Sequence, residues 1–187
     1  MSLPNERSMS IQEFYNLREE TDRLIEYADG VVMMVPSPST HHQRISSRLH
    51  AKLFNFLDGG DCEVFHAPFD VELKGENLGG THIVVPDLLV ICDKKGLTDN
   101  KFVGAPEMII EILSPSNQAH DLVFKLNLYM QAGVKEYWIV NPMLSIIQVY
   151  ELDQHGQYKQ VDSLKKSGTI QSTALQGFRV NLEDVFN

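Results

Sequence analysis

The spacing of apolar and polar positions divides the chain into short helices and strands. Residues 11–18 carry Ile11, Phe14, Tyr15 and Leu17 as an apolar stripe, which predicts a short helix. Residues 24–35 read as extended segments around Asp29-Gly30, a hairpin-type turn. The stretch Pro36-Ser37-Pro38-Ser39-Thr40 stops the strand and supplies an N-cap for a helix over 41–57. In that helix Ile45, Leu49, Leu53 and Phe56 recur at helical spacing and predict one buried face.

Three strands are expected next. Residues 63–73 end in alternation, with Phe69, Val71 and Leu73 inward and Asp70 and Glu72 on an outer polar face. Residues 82–92 and 107–113 are almost wholly apolar, the pattern of interior strands covered on both sides. Pro115 closes the third strand. A second helix over 118–132 shows Leu122, Leu126 and Tyr129 on one side and ends at Gly133, a C-cap residue. Residues 136–140 form a fourth strand with Trp138 in the core, and Ile146–Leu152 with 158–161 make a terminal meander. The order α-β-β-β-α-β in the middle predicts an α/β domain with helices packed on a mixed sheet. No repeat, linker or biased tract interrupts the chain, so one domain over 1–187 is expected, with its core at about 40–142.

Composition narrows the class. The 187 residues are 43% hydrophobic and 22% charged, which excludes disordered and collagen-like chains. No apolar run approaches the roughly 20 residues needed to cross a bilayer, and MSLPNERSMS has no signal-peptide core, so a cytoplasmic location without membrane association is expected. Cys62 and Cys92 lie in strand-like runs and suggest neither a metal knuckle nor a disulfide framework. The net charge of −9 has the wrong sign for a protein that coats nucleic acid non-specifically, but it allows an enzyme that grips a phosphodiester locally. Residues 1–30 hold three basic and seven acidic side chains, so part of the acidity lies away from the rest of the chain.

Two carboxylates stand where the pattern calls for apolar side chains: Asp87 within Val84-Val85-Pro86-Asp87-Leu88-Leu89, and Glu111 within Met108-Ile109-Ile110-Glu111-Ile112-Leu113. An unpaired buried carboxylate costs several kcal/mol, and two on neighbouring strands also repel. Separate ion pairs or solvated strand ends would relieve this. A hard divalent cation, Mg²⁺ or Mn²⁺, would relieve both at once, and is the expected cofactor. Arg44, Arg48 and Lys52 recur at i, i+4 and i+8 as one basic stripe, suited to DNA phosphates or to a solvated face. Other chemistries find no support: Ser114 has no nucleophile elbow, the histidines lack zinc-protease spacing, and the glycines of Gly75-Glu76-Asn77-Leu78-Gly79-Gly80 do not open a helix.

The same positions carry a resemblance. The chain resembles the Uma2 family, restriction-endonuclease-like proteins of the PD-(D/E)XK nuclease superfamily. The matching stretches are Glu26-Tyr27-Ala28-Asp29-Gly30, Pro36-Ser37-Pro38 with His42-Gln43, Ala67-Pro68-Phe69-Asp70-Val71, Pro86-Asp87-Leu88, and Gly104-Ala105-Pro106 running into Glu111-Ile112-Leu113-Ser114-Pro115-Ser116. Asp121, Lys125 and Tyr129, then Gly133-Val134-Lys135-Glu136-Tyr137-Trp138 and Pro142, complete the set, which spans about 10–187. The resemblance implies a restriction-endonuclease-like core and a third metal-facing carboxylate at Glu26. The superfamily places Lys two residues after the third-strand acid; here that residue is Leu113, and the resemblance implies that Lys125 substitutes. An ordinary surface pair between Lys125 and Asp121 is the competing reading.

The expected function is therefore a Mg²⁺- or Mn²⁺-dependent endonuclease acting on DNA. Asp87, Glu111 and Glu26 are its metal-facing carboxylates and Lys125 its catalytic cation. His42, Arg44, Arg48 and Lys52 are candidate DNA contacts. The alternatives are a non-catalytic DNA- or protein-binding module on the same fold, and a metal-dependent hydrolase of another phosphoester. A homodimer is expected, with the apolar residues around Ile146-Ile147-Gln148-Val149-Tyr150 as its interface.

Overall fold

The computed structural model describes residues 8–115 and 120–187, and the side chains from 123 onward in the latter part. Its first helix, α1 (Ile11–Glu20), opens on Ser10, whose hydroxyl accepts from Glu13 N while the Glu13 carboxylate accepts from Ser10 N. Strands β1 (Ile25–Ala28) and β2 (Val31–Met34) then form the expected hairpin. Asp29 and Gly30 both take positive φ, +44° and +94°, the requirement of a two-residue turn whose twist matches the strands.

Helix α2 (Thr40–Leu57) is capped by Ser39, which accepts from His42 N. Its Ile45, Leu49 and Leu53 are fully buried, each contributing about 1.5–3 kcal/mol. Phe56 departs from the expected face: it is exposed and its ring leans on Phe178 instead.

The two long runs expected as single strands are each broken at a proline, which has no N–H to give a ladder. Residues 63–73 become β3 (Glu63–His66) and β4 (Asp70–Leu73), divided at Pro68. Residues 82–92 become β5 (His82–Val84) and β6 (Leu88–Ile91), divided at Pro86. Each break sends the chain from one sheet to another. Strands β7 (Lys101–Val103), β8 (Met108–Ile112), β9 (Glu136–Asn141), β10 (Ile146–Leu152) and β11 (Tyr158–Lys165) complete the two larger sheets. One has the order β2-β1-β5-β4-β7, the other β11-β10-β9-β8-β6-β3, and both mix parallel with antiparallel pairs. A small ribbon, β12 (Thr169–Gln171) with β13 (Arg179–Asn181), leads into α4 (Leu182–Phe186).

The six-stranded sheet is the structural centre. Leu88, Val90, Met108, Ile110, Ile112 and Trp138 face α2. The alternate residues Leu89, Ile91, Ile109, Leu113, Tyr137 and Ile139 face α3 (Leu126–Ala132). A π-helical turn, His120–Lys125, precedes α3, so the expected single helix changes pitch at Lys125. Gly133 ends α3 with φ +85°. Ile147 and Val149 are fully buried in the α2-side core, so they are not available for the dimer interface expected of them.

Cys62 and Cys92 form a disulfide, where the sequence suggests no disulfide framework. Register explains the pairing: Glu63 lies opposite Ile91, so Cys62 and Cys92 are the next facing pair.

The outer face of β4 is polar as expected, and it is paired. Arg18 grips both Asp70 oxygens at 2.6 Å, and Glu72 accepts from Lys101 at 2.7 Å and from Lys74 at 2.8 Å. These two ammonium donors hold the Glu72 carboxyl below its usual range. Because the native pKa is depressed, the stability Glu72 contributes is present above the unfolded value and is lost as pH falls below about 4.5. Glu72→Gln is expected to flatten the acid limb of the melting-temperature profile below that pH. A profile superimposable on the parent's would show the pair to be inert.

Candidate active site

Strand parity builds the site. Asp87 precedes β6 with the parity of Leu89 and Ile91, and Glu111 of β8 shares the parity of Ile109 and Leu113. Glu111 therefore points to the α3 side, while Asp87, just before β6, lies at the strand end. The β6–β8 register pairs Leu88 with Ile110, which makes Asp87 and Glu111 the next facing residues. Asp87 N reaches Glu111 Oε2 at 3.4 Å, and Ile112 N donates to Asp87 Oδ2 at 2.8 Å. The two unusual carboxylates of the sequence are thus neighbours.

Lys125 arrives from the other layer. It is 5% exposed, and its ammonium donates to Glu111 Oε1 at 2.8 Å and to Glu26 Oε1 at 3.1 Å. Leu113, the place where the superfamily carries lysine, is buried in the apolar cluster on that same face of the sheet. A lysine entering from the helix side reaches the Glu111 carboxylate that Leu113 cannot serve. The Asp121 side chain, the competing partner, lies outside the described residues.

Glu26 is buried as deeply as Glu111. It is 3% exposed, and Oε1 accepts from Val85 N at 2.9 Å as well as from Lys125. Its bonds fix the lysine. Tyr129, one turn after Lys125, donates its hydroxyl to Glu111 Oε1 at 2.6 Å. Complete burial and the nearby Glu111 and Glu26 charges push the Tyr129 phenol well above its usual range, so it remains a donor. Sequence reasoning took Tyr129 for a core residue; a buried hydroxyl needing a partner was the available signal.

His42, in the first turn of α2, places Nε2 3.0 Å from Asp87 Oδ2. The carboxylate oxygen accepts, so Nε2 carries the proton in this contact. Arg44, Arg48 and Lys52 do not join the cluster. Arg48 donates to Val185 O at 3.0 Å and Lys52 pairs with Asp184 at 2.8 Å, both on α4, while Arg44 is exposed on the helix.

A cleft of about 850 Å³ opens over the cluster, with Asp87, Glu111, Lys125 and His42 in its wall. His50 and His66 extend the wall, their rings edge-to-face at 4.9 Å. Burial and the neighbouring His66 hold the His50 imidazole below its usual pKa. Among the described residues no group of three or more His, Cys, Asp or Glu side chains is arranged around a single metal position. No helix there is long and apolar enough to cross a membrane.

Two layers of helix on mixed sheets, with carboxylates and a lysine meeting at the break between strands, define a restriction-endonuclease-like α/β protein. The chain belongs to the Uma2 family, described as "Putative restriction endonuclease", whose profile matches residues 11–183. It is 30% identical over 151 residues to the "Uncharacterized protein slr1290" of Synechocystis sp., covering 80% of this chain and 77% of that protein. In fold it is similar to a crystal structure titled as a putative nuclease belonging to DUF820 from Anabaena variabilis. That match has a TM-score of 0.76 and 19% identity, and covers 95% of this chain and 97% of the other.

Proposed function

We propose that this chain is a Mg²⁺- or Mn²⁺-dependent endonuclease that hydrolyses phosphodiester bonds in DNA. The observation that carries the reading is the meeting of Asp87, Glu111 and the Lys125 ammonium in one cleft. The donor set suits a hard divalent ion. Three carboxylates against one ammonium leave a formal charge of −2 in the cluster. Two cleft-lining carboxylates, with water and substrate oxygens completing the shell, are the provision Mg²⁺ accepts. Asp87 and Glu111 would hold the ion; Glu26 would act through Lys125.

When bound, the ion would polarise the phosphate and lower the pKa of bound water. The protein's own groups prepare that chemistry. Ile112 N and His42 fix the Asp87 carboxylate, while Lys125 and Tyr129 fix Glu111, so both are oriented before substrate arrives. The Lys125 ammonium is poised to orient the attacking water or to balance charge on the scissile phosphate. Burial raises its effect, because little solvent screens it.

The test is an incubation of the purified chain with supercoiled plasmid, linear duplex and single-stranded DNA in Mg²⁺, Mn²⁺ and EDTA. Cleavage is expected in Mn²⁺ or Mg²⁺ and none in EDTA. Intact DNA under every condition would defeat the nuclease reading.

A further inference from the structure

Helix α2 carries two rows of side chains about half a turn apart. One is Arg44, Arg48 and Lys52. The other, offset by two residues or about 200°, is His42, Ser46, His50 and Phe54. The basic row is tied down: Arg48 and Lys52 contact α4. The second row begins at Asp87 and lines the cleft through His42, Ser46 and His50.

Its last members form an aromatic series. The His50 ring stacks on Phe54, centroids 6.3 Å apart and planes within 19°, and His66 of β3 meets His50 edge-on. Phe54 is 57% exposed, so its ring is open to a ligand beyond His50. The twelve steps from His42 to Phe54 span about 18 Å along the helix, the length of a few nucleotides rather than one. Ala67 N donates to Asp87 O at 3.1 Å, so the strand end bearing His66 is anchored to the carboxylate site.

We propose that the His42–Ser46–His50–Phe54 row of α2, faced by His66, is the path of a single-stranded DNA segment leaving the carboxylate site, with unpaired bases stacking on His50, His66 and Phe54. This rests on the reading of the site as a nuclease. Bases offer a flat face to an aromatic ring only when they are out of the duplex stack, and each such contact is worth about 1–3 kcal/mol. Phosphate contacts by Lys and Arg serve duplex and single strand alike, so stacking is what favours the single strand. Among the described residues lining the cleft, Arg23 and Lys125 are the only Lys or Arg, and Lys125 is engaged with two carboxylates. The depressed pKa of His50 accords with this chemistry, since a neutral ring stacks without needing a counter-charge. Ser46, Ser47 and Gln43 add hydroxyls and an amide beside the rings, suited to base edges more than to phosphate.

The experiment is fluorescence anisotropy of the full chain with a fluorescein-labelled 12-nucleotide single strand and with its blunt duplex, in Ca²⁺ and again in EDTA. The single strand is expected to bind at least tenfold more tightly. His50→Ala and Phe54→Ala are each expected to weaken it about tenfold, with melting temperatures near the parent's. His50→Phe, which keeps a stacking face, is expected to retain binding. Tighter binding of the duplex, or alanine variants that bind like the parent, would overturn the path. So would a change in sedimentation of Phe54→Ala with single-strand binding intact, which would make the row a contact between copies of the chain. Binding along the row without cleavage in Mg²⁺ or Mn²⁺ defeats the nuclease reading and leaves the path standing. Cleavage insensitive to the alanine changes does the reverse.

Discussion

Lys125→Met is expected to destabilise the protein by about 3–5 kcal/mol and to lower DNA hydrolysis by at least 10²-fold. The stability term follows from burial. The side chains of Lys125, Glu26 and Glu111 are 7%, 3% and 5% exposed, so removing the ammonium leaves two carboxylates facing each other with little water to solvate them. For a chain of this size the loss corresponds to a fall in melting temperature on the order of 10 °C. The catalytic term has a different origin, the loss of a preorganised cation where charge develops. A double variant separates them. Lys125→Met with Glu26→Gln removes one orphaned charge together with the ammonium, and should recover part of the lost stability without recovering cleavage. A single variant that melts with the parent would contradict the buried pairing. A folded double variant that cuts at the parent's rate would deny Lys125 a catalytic role.

Much of this site was legible from local pattern. Asp87 and Glu111 stood out because a carboxylate in an apolar strand demands a partner, and α2 stood out because Ile45, Leu49 and Leu53 share a face. The Asp29-Gly30 turn was readable because few residue pairs accept two positive φ values. What was not legible depended on distant partners. The basic stripe was real as a periodicity, but the α4 groups it meets lie 137 and 132 residues away. Pro68 and Pro86 sat visibly inside their runs, yet the apolar continuity around them outweighed the missing N–H, and the exchange between sheets was lost. The disulfide required a strand register that neither cysteine's own surroundings specify. His50 and His66 meet only because α2 and β3 pack together, and spacing along the chain carries no trace of that.

Asp87→Asn combined with Glu111→Gln is expected to weaken Mn²⁺ binding by at least 10²-fold and to abolish cleavage, since both candidate ligands lose their charge. Simple repulsion between the two carboxylates would make this variant more stable than the parent in chelator. The structure reverses that sign. Glu111 is held by Lys125 and by Tyr129, and Asp87 by Ile112 N and His42, so both charges already have donors. Replacing Glu111 by an amide weakens two charge-assisted bonds and leaves the buried ammonium with Glu26 as the carboxylate it still touches. The double variant should therefore melt a few degrees below the parent in EDTA. Mn²⁺ separates metal binding from this structural cost. At about a hundred times its Kd the ion should stabilise the parent by about 2.7 kcal/mol, and the variant hardly at all. The measurement is a pair of melting curves with and without Mn²⁺, alongside calorimetric titration. A variant whose melting temperature rises with Mn²⁺ as much as the parent's would remove Asp87 and Glu111 as the metal-holding pair.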